Sequence, residues 1–369
     1  MGSSDDETSS SSSSSKRRRR NGGYARWSRP RRKQHLYLAL DDWPGGYSIH
    51  KIDADDILDQ EPETGGGEHK LPAPAAVRIA SPAPVPGPMA FAAAGTSIFV
   101  ATNPLVRGPR APAMFVYDTE TAALTIGPRV PEWIFNLADA IAVDRKLYAV
   151  TSGFVPSVQV LSWALNVTLD REAWEPAMEW SWKTLPGTAP IDGTTITSYA
   201  LHPDGRTIFM SAYYTYSFDT GSNVWTNLGT WKLPFRGRAY FDGDLDAWVG
   251  LAEEDGYICC CPVASRSAAA TRPPERRMLK EKLFHAKKDK NPTGNYLGIT
   301  LTYMGDGGFC LVENIMHTDH AVNGSVLHVT FFGLKYDHKG ELQTKVRCGT
   351  RSYKVSKNNR MFSHAAFWM

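Results

Sequence analysis

The sequence predicts an all-β fold assembled from repeated four-stranded units, and three observations carry that reading. An aromatic-Asp-Thr step between two strand-like runs occurs twice, in "FVYDTETAAL" (Phe115–Leu124) and "YSFDTGSNVW" (Tyr216–Trp225), about 101 residues apart. Eleven Trp and fifteen Tyr enrich the chain in residues that suit a pleated, half-buried surface. From His35 onward, short apolar runs are punctuated by Gly, Asp and Pro, with no convincing helical stretch. A closed β architecture runs long as one domain, so residues 35–369 are read as a single domain behind a tail of residues 1–34.

The clearest unit is Ile196–Trp231. Its expected strands are Ser198–His202, Thr207–Ala212, Thr215–Phe218 and Val224–Gly229, with "PDG" turning the chain between the first two. Pro presets one turn dihedral and Gly accepts a positive φ. Four antiparallel strands make one propeller blade, and a spacing of two units in about 101 residues matches the kelch-type repeat of roughly 50. The template fits again at "MAFAAAGTSIFVA" with "MFVYDTETAALTIGP", and at "ADAIAVDRKLYAV" with "VQVLSWAL" and "WSWKTLP". It fits at "RAYFDGDLDAWVGL" with "YICCCP" and "EKLFH", and at "GITLTYMGDGGFCLV" with "VLHVTFFGLKYDHKGELQTKV". "LYLALDDWPGGYSIHKID" (Leu36–Asp53) supplies second and third strands and Val77–Ala80 a fourth, without a first. "FSHAAFWM" (Phe362–Met369) resembles a first strand with nothing after it. Joining the two predicts a six-bladed kelch-like β-propeller closed by the C-terminal strand, which removes the exposed sheet edges of an open array.

The segments "LYLALDDWPGGYSIHKID", "ITSYALHPDGRTIF", "LPFRGRAYFDGDLDAWVGL" and "EKLFHAKKDKNPTGNYLGITLTYMGDGGFCLVE" together resemble a grass-expanded plant family of uncharacterised kelch-like proteins catalogued only as a domain of unknown function. The resemblance covers about residues 35–369. It implies a propeller and almost nothing about activity. One departure from ordinary kelch repeats stands out: "FMSAYY", "YAVTSG" and "FVATNP" occupy the place of the usual Gly-Gly pair after the second strand.

The formal net charge of +3 hides an asymmetry, since residues 1–35 carry +7 and the rest of the chain −4. A mildly acidic body argues against nucleic-acid binding by the folded part, because phosphate-binding surfaces need Lys and Arg in excess. Met1–Ser15 is acidic and then Ser-rich, a composition that stays disordered. Two basic clusters follow, Lys16, Arg17, Arg18, Arg19 and Arg20, then "RPRRK" with Arg31, Arg32 and Lys33, of the kind import receptors read. With no secretory h-region and no membrane-length apolar run, the expected location is nuclear and/or cytoplasmic, and the sequons at Asn166 and Asn323 are expected to be unused.

The sequence holds fragments of catalytic and metal-binding patterns, each incomplete. Cys259, Cys260 and Cys261 alternate faces if they lie in a strand, so they cannot chelate one metal together; Cys310 and Cys348 add no Cys-x-x-Cys spacing. "DGDLDAWVGLAE" (Asp242–Glu253) has Ala247 where a calcium loop requires Gly, and reads as a hairpin turn. "HTDH" (His317–His320) lacks an indicated third ligand, and "GDGG" at 305–308 leads into a strand rather than a helix. No Gly-x-Ser-x-Gly elbow is present, and no cofactor is implied.

Two features fit binding. Arg236 and Arg238 are expected in the loop entering an innermost strand, near the rim of a central channel, able to grip a carboxylate or phosphate or to pair with nearby Asp242, Asp244 or Asp246. A basic stretch beginning at Ala264, with Arg276 and Arg277, could capture an acidic partner or simply be solvated. Trp133, Trp182, Trp225, Trp231 and Trp248 are expected to pack between blades. The resulting expectation is a monomeric, non-enzymatic module that binds a protein partner; the alternative is an enzyme or small-molecule binder using the central channel.

Overall fold

The computed structural model describes residues 33–58, 68–81, 88–103, 106, 110–165, 178–253, 257–266, 272–284, 296–316, 324–359 and 361–369. The basic clusters up to Arg32, the Ser-rich segment, His317–His320 and both sequon asparagines lie outside these residues. The fold is all-β. Its described helical content is one turn, Asp55–Leu58, and short 3₁₀ turns such as Leu137–Asp139 and Gly193–Thr195.

The described strands form five sheets, four of four strands and one of eight, in which they follow one another as antiparallel runs, or units, of four. The first contains β1 (His35–Trp43), β2 (Gly46–Asp53) and β3 (Val77–Ala80). The second is β4 (Ala90–Ala94), β5 (Ser97–Ala101), β6 (Ala113–Asp118) and β7 (Leu124–Arg129). The third is β8 (Ile141–Val143), β9 (Lys146–Val150), β10 (Val158–Leu165) and β11 (Met178–Thr184). The fourth is β12 (Ser198–Leu201), β13 (Thr207–Ser211), β14 (Thr215–Asp219) and β15 (Val224–Gly229). The fifth is β16 (Phe235–Asp242), β17 (Ala247–Ala252), β18 (Ile258–Pro262) and β19 (Arg277–Met278). The sixth is β20 (Tyr296–Gly305), β21 (Gly308–Met316), β22 (Gly324–Tyr336) and β23 (Leu342–Ser356). The last strand, β24 (Ala365–Trp368), joins the first unit, giving the order β24-β1-β2-β3. The fourth and fifth units merge into one eight-stranded sheet through a parallel pairing of β12 with β16. Successive meandering sheets of this kind are the organisation of a β-propeller.

Alternation along the middle strands explains why they are apolar without interruption. In β1, Leu36, Leu38 and Leu40 enter a core shared with Cys310, Val312 and Phe331 of the sixth unit, whereas Tyr37 and Ala39 enter one shared with Phe91, Ile98 and Val100 of the second. Phe209 packs toward Trp248 of the fifth unit, while its neighbours Ile208 and Met210 pack toward Tyr148 and Val160 of the third. A strand buried on both faces has no polar side to show. The cysteine triplet obeys the same rule: Cys259 and Cys261 sit in the core with Trp248, and Cys260 in the next core with Phe309 and Leu311. All three are buried free thiols, as is Cys310, and burial pushes the Cys261 and Cys310 thiols far up, away from thiolate.

The recurrent Asp-Thr step is a tie between two turns. Asp118 Oδ1 accepts from the backbone N–H groups of Glu120 and Thr121, and Thr119 donates both its N–H and its hydroxyl to Thr96 O in the β4–β5 turn. Asp219 accepts from Gly221 and Ser222, and Thr220 donates its N–H and hydroxyl to Arg206 O in the β12–β13 turn. The carboxylate closes one hairpin and the threonine fastens it to its neighbour.

One expected strand is displaced. The fourth strand of the fifth unit is β19, not "EKLFH": Met278 pairs with Cys259 and Arg277 with Cys260, and residues 282–284 form no strand. The apolar residues of that stretch are used otherwise, since Leu279 and Leu283 are buried in the core between the fifth and sixth units.

The segment before β24 is clamped by a buried ion pair. Lys357 Nζ lies 2.6 Å from Asp41 Oδ1, both side chains almost fully shielded from water. Asp41 Oδ2 also accepts from the N–H groups of Asn358 (3.1 Å) and Asn359 (2.5 Å), and Asn358 Nδ2 donates to Asp41 O. Lys357 also donates to the carbonyls of Phe362 and Ser363. Beyond the clamp, β24 pairs antiparallel with β1, Leu36 opposite Trp368 and Ala39 opposite Ala365.

Candidate functional site

Antiparallel order assigns every connection to one of two faces. Turns from first to second and from third to fourth strand lie on one, here the turn face; links from second to third strand and from one unit to the next lie on the other, the loop face. The turn face is built of tight Asp and Gly turns: Asp144, Asn223, Asp246 and Asp306 take positive φ there. Charged side chains pair across it, as where Asp204 accepts from Arg266 at 2.9 Å and Arg206 meets Asp219 at 3.2 Å. Burial opposes ionisation of Asp204, but the Arg206 N–H, the Thr207 hydroxyl and N–H, and His202 outweigh it and hold the carboxyl well below its ordinary range.

The loop face is different. Every large, exposed apolar side chain that stands in a connection among the described residues stands there: Val106, Trp133, Phe135, Phe154, Val155, Tyr213, Tyr214 and Met361. The densest group joins two loops of the second and third units, where Trp133 is 54% exposed, Val155 is 72% exposed and Phe154 is wholly in solvent. These loops are held in place. Ser152 N donates to Trp133 O at 2.9 Å, Ala189 N to Pro156 O at 2.8 Å, and Gly153 N to Asp192 Oδ2 at 3.2 Å. Gly193 is required at the base, because a Cβ there would meet Val150 O at 2.1 Å.

Asp192 is the anchor. The Thr194 hydroxyl is the main influence; with the N–H groups of Thr194 and Gly153 it overcomes burial and draws the carboxyl from 3.8 to about 2. Because the folded value is depressed, the anchoring is complete above the ordinary carboxylate range and is lost as pH falls through about 2. Replacing Asp192 by Ala is expected to speed amide exchange at Gly153 roughly fivefold at neutral pH, the worth of one net hydrogen bond of about 1 kcal/mol. In the wild type the same loss of protection, measured against the intrinsic exchange rate at each pH, should appear only as pH falls through about 2.

A groove of about 500 Å³ between β7 and β11 has a mixed lining, with Ile126, Trp163, Trp180 and Trp182 beside Arg129 and Glu179. No group of three or more His, Cys, Asp or Glu among the described residues is placed to hold a metal ion. No described helix is long and apolar enough to cross a membrane.

Residues 33–350 match the family described as "Protein of unknown function (DUF1668)". The chain belongs to the DUF1668 family. No curated protein matches it at a significant level. Among solved structures, this DUF1668 chain overlaps TolB from Acinetobacter baumannii with a TM-score of 0.43 at 12% identity, covering 88% of this chain and 67% of that one. A chain of a nidogen/laminin complex gives 0.39 at 10% identity, covering 87% and 96%. BamB from Moraxella catarrhalis gives 0.34 at 13% identity, covering 91% and 82%. At these TM-scores the overlaps carry no functional inference.

Within this DUF1668 fold the arginines singled out by sequence do not form one site. Arg236 and Arg238 lie inside strand β16 rather than in the loop before it: the β16–β17 ladder is irregular between Phe235 and Ala239, where Gly237 takes φ +70°, while Gly237 and Arg238 pair with β12. Arg236 is exposed at the loop-face end of the strand. Arg238 stacks its guanidinium 4.6 Å from the Tyr240 ring centroid; the aspartates following it serve the turn instead, Asp242 accepting from the N–H groups of Asp244 and Leu245. Arg276 is exposed toward the turn face, whereas Arg277 is a strand residue that donates to Gly340 O and lies over the Tyr336 ring. Lys33 is exposed. Trp248, Trp182, Trp225 and Trp231 pack against the cores as expected, but Trp133 does not: its loop carries it into solvent above Gly153. The loop-face cluster was not visible as a pattern, since its members come from separate connections. Its one sequence signal is "SGFVPS" (152–157), two large apolar residues between turn formers.

Proposed function

We propose that this DUF1668 protein is a six-bladed, kelch-like propeller, closed into a ring by β24, that serves as a non-enzymatic scaffold binding a protein partner through its loop face. Support for the ring comes from the six cores: each lies between two consecutive units, one of them between the sixth and the first. The observation that carries the function is the confinement of exposed loop aromatics to one face, on loops already fixed by hydrogen bonds. Rigid aromatics bury much area at little entropic cost on association, and clustered apolar exposure marks interaction surfaces.

The test is capture from extract of the source tissue with the full chain as bait. Trp133→Ala combined with Phe154→Ser is expected to weaken retention of a specific partner by roughly 30-fold or more, the effect of losing a hot spot of about 2 kcal/mol. Arg276→Ala, on the opposite face, should retain it. A partner held equally by all three baits would place the interface elsewhere.

A further inference from the structure

The pairing of β12 with β16 brings together a second group of side chains, separate from the aromatic loops. These strands run parallel with Tyr199 opposite Arg238 and Ala200 opposite Ala239. Both alanines turn into the core between the fourth and fifth units, beside Phe209 and Trp248. Side chains alternate along a strand, so Tyr199, Arg238 and Tyr240 project from the opposite side of the merged sheet, away from that core. All three are only partly exposed. Arg238 stacks over Tyr240, yet its guanidinium makes no hydrogen bond or ion pair with any described residue. Five N–H donors and a fixed charge, partly withdrawn from water and left without an acceptor, are a costly arrangement unless something else supplies one.

The neighbours define that acceptor. Burial pushes the Tyr199 hydroxyl up to about 12, Arg238 only partly offsetting it, so the phenol keeps its proton and can donate. Asp139, exposed on the Leu137–Asp139 turn, is close enough to reinforce the shift in Tyr199. A nearby carboxylate disfavours a highly charged ligand. Tyr303, its ring 6.3 Å from that of Tyr240, extends the aromatic wall.

We infer that Arg238, Tyr199 and Tyr240 form a binding site for a small, singly charged carboxylate, with Arg238 as the bidentate donor, Tyr199 as a hydroxyl donor and the tyrosine rings as walls. A guanidinium fork matches a planar carboxylate with two parallel hydrogen bonds.

Benzoate is the probe, titrated calorimetrically into the full chain, with inorganic phosphate at matched ionic strength as the second arm. Saturable benzoate binding is expected, weakened roughly 10- to 100-fold by Arg238→Gln, as loss of hydrogen bonds to a charged group requires. Tyr199→Phe, which keeps the ring, should weaken it severalfold and covers the case in which the arginine variant fails to fold. Without ligand, Arg238→Gln should melt no lower than wild type, because it removes a charge that lacks a partner. No saturable binding to wild type, or equal binding by Arg238→Gln, would overturn the site; tighter binding of phosphate than of benzoate would overturn the carboxylate assignment. The loop-face variants leave these residues intact, so either reading can fail while the other stands.

Discussion

Replacing Asp41 by Ala is expected to lower stability by about 3–5 kcal/mol, the usual cost of removing one partner from a buried ion pair. The carboxylate takes the Lys357 ammonium at 2.6 Å and two backbone N–H groups, so its loss strands a charge and two donors in a region closed to water. Burial already pulls the Lys357 ammonium below its ordinary pKa despite the hydrogen bond it donates to Asp41. Asp41→Ala combined with Lys357→Met should recover much of the loss, because an apolar pair has no desolvation penalty to offset. Urea unfolding of the three variants separates the outcomes. A loss below about 1 kcal/mol for Asp41→Ala would mean that the ammonium reaches water without its partner.

The strands were legible because hydrophobic alternation and turn chemistry are both local. Val224–Gly229 and Val77–Ala80 are strands as expected, and the Asp118 and Asp219 turns stand where the Asp-Thr step put them. The displaced strand shows where locality ends. "RM" at Arg277–Met278 and "EKLFH" are both tolerable partners for the cysteine strand, and the choice depends on whether Leu279 and Leu283 can reach a core built by the next unit. The clamp was invisible for a related reason, since Asp41 and Lys357 meet across nearly the whole chain and nothing near either residue hints at the other.

The site was less legible than the fold. Trp133 is chemically indistinguishable in sequence from the tryptophans that pack inward, and only the loop that carries it past Gly153 decides its exposure. For Arg238 the residue was visible but its environment was not. Its position opposite Tyr199 depends on parallel pairing between two units, a relation that no periodicity within either unit encodes.

Deleting Phe362–Met369 is expected to be the most damaging change of all, costing more than about 5 kcal/mol, comparable with the total stability of an ordinary domain. The deletion removes the ladder between β24 and β1, with about 1 kcal/mol net for each hydrogen bond. It removes the Phe362 ring, which packs 5.0 Å from Tyr47 and 5.6 Å from Phe91, and the carbonyls that receive Lys357. The size of the effect depends on topology. In a ring closed by β24, losing the innermost strand of the first unit exposes the edge of β1 and loosens the cores on both sides of it, those with the sixth and second units, so cooperative unfolding should shift as a whole. In an open array the damage would stay at one edge, and the remaining sheets would melt as before. Calorimetric melting of the truncated chain distinguishes the two: a single transition lowered by roughly 10 °C or more supports the ring. A main transition at the wild-type temperature would exclude closure, and adding the excised eight residues as a synthetic peptide should restore the lost stability only if the vacated edge of β1 is intact and waiting for a partner.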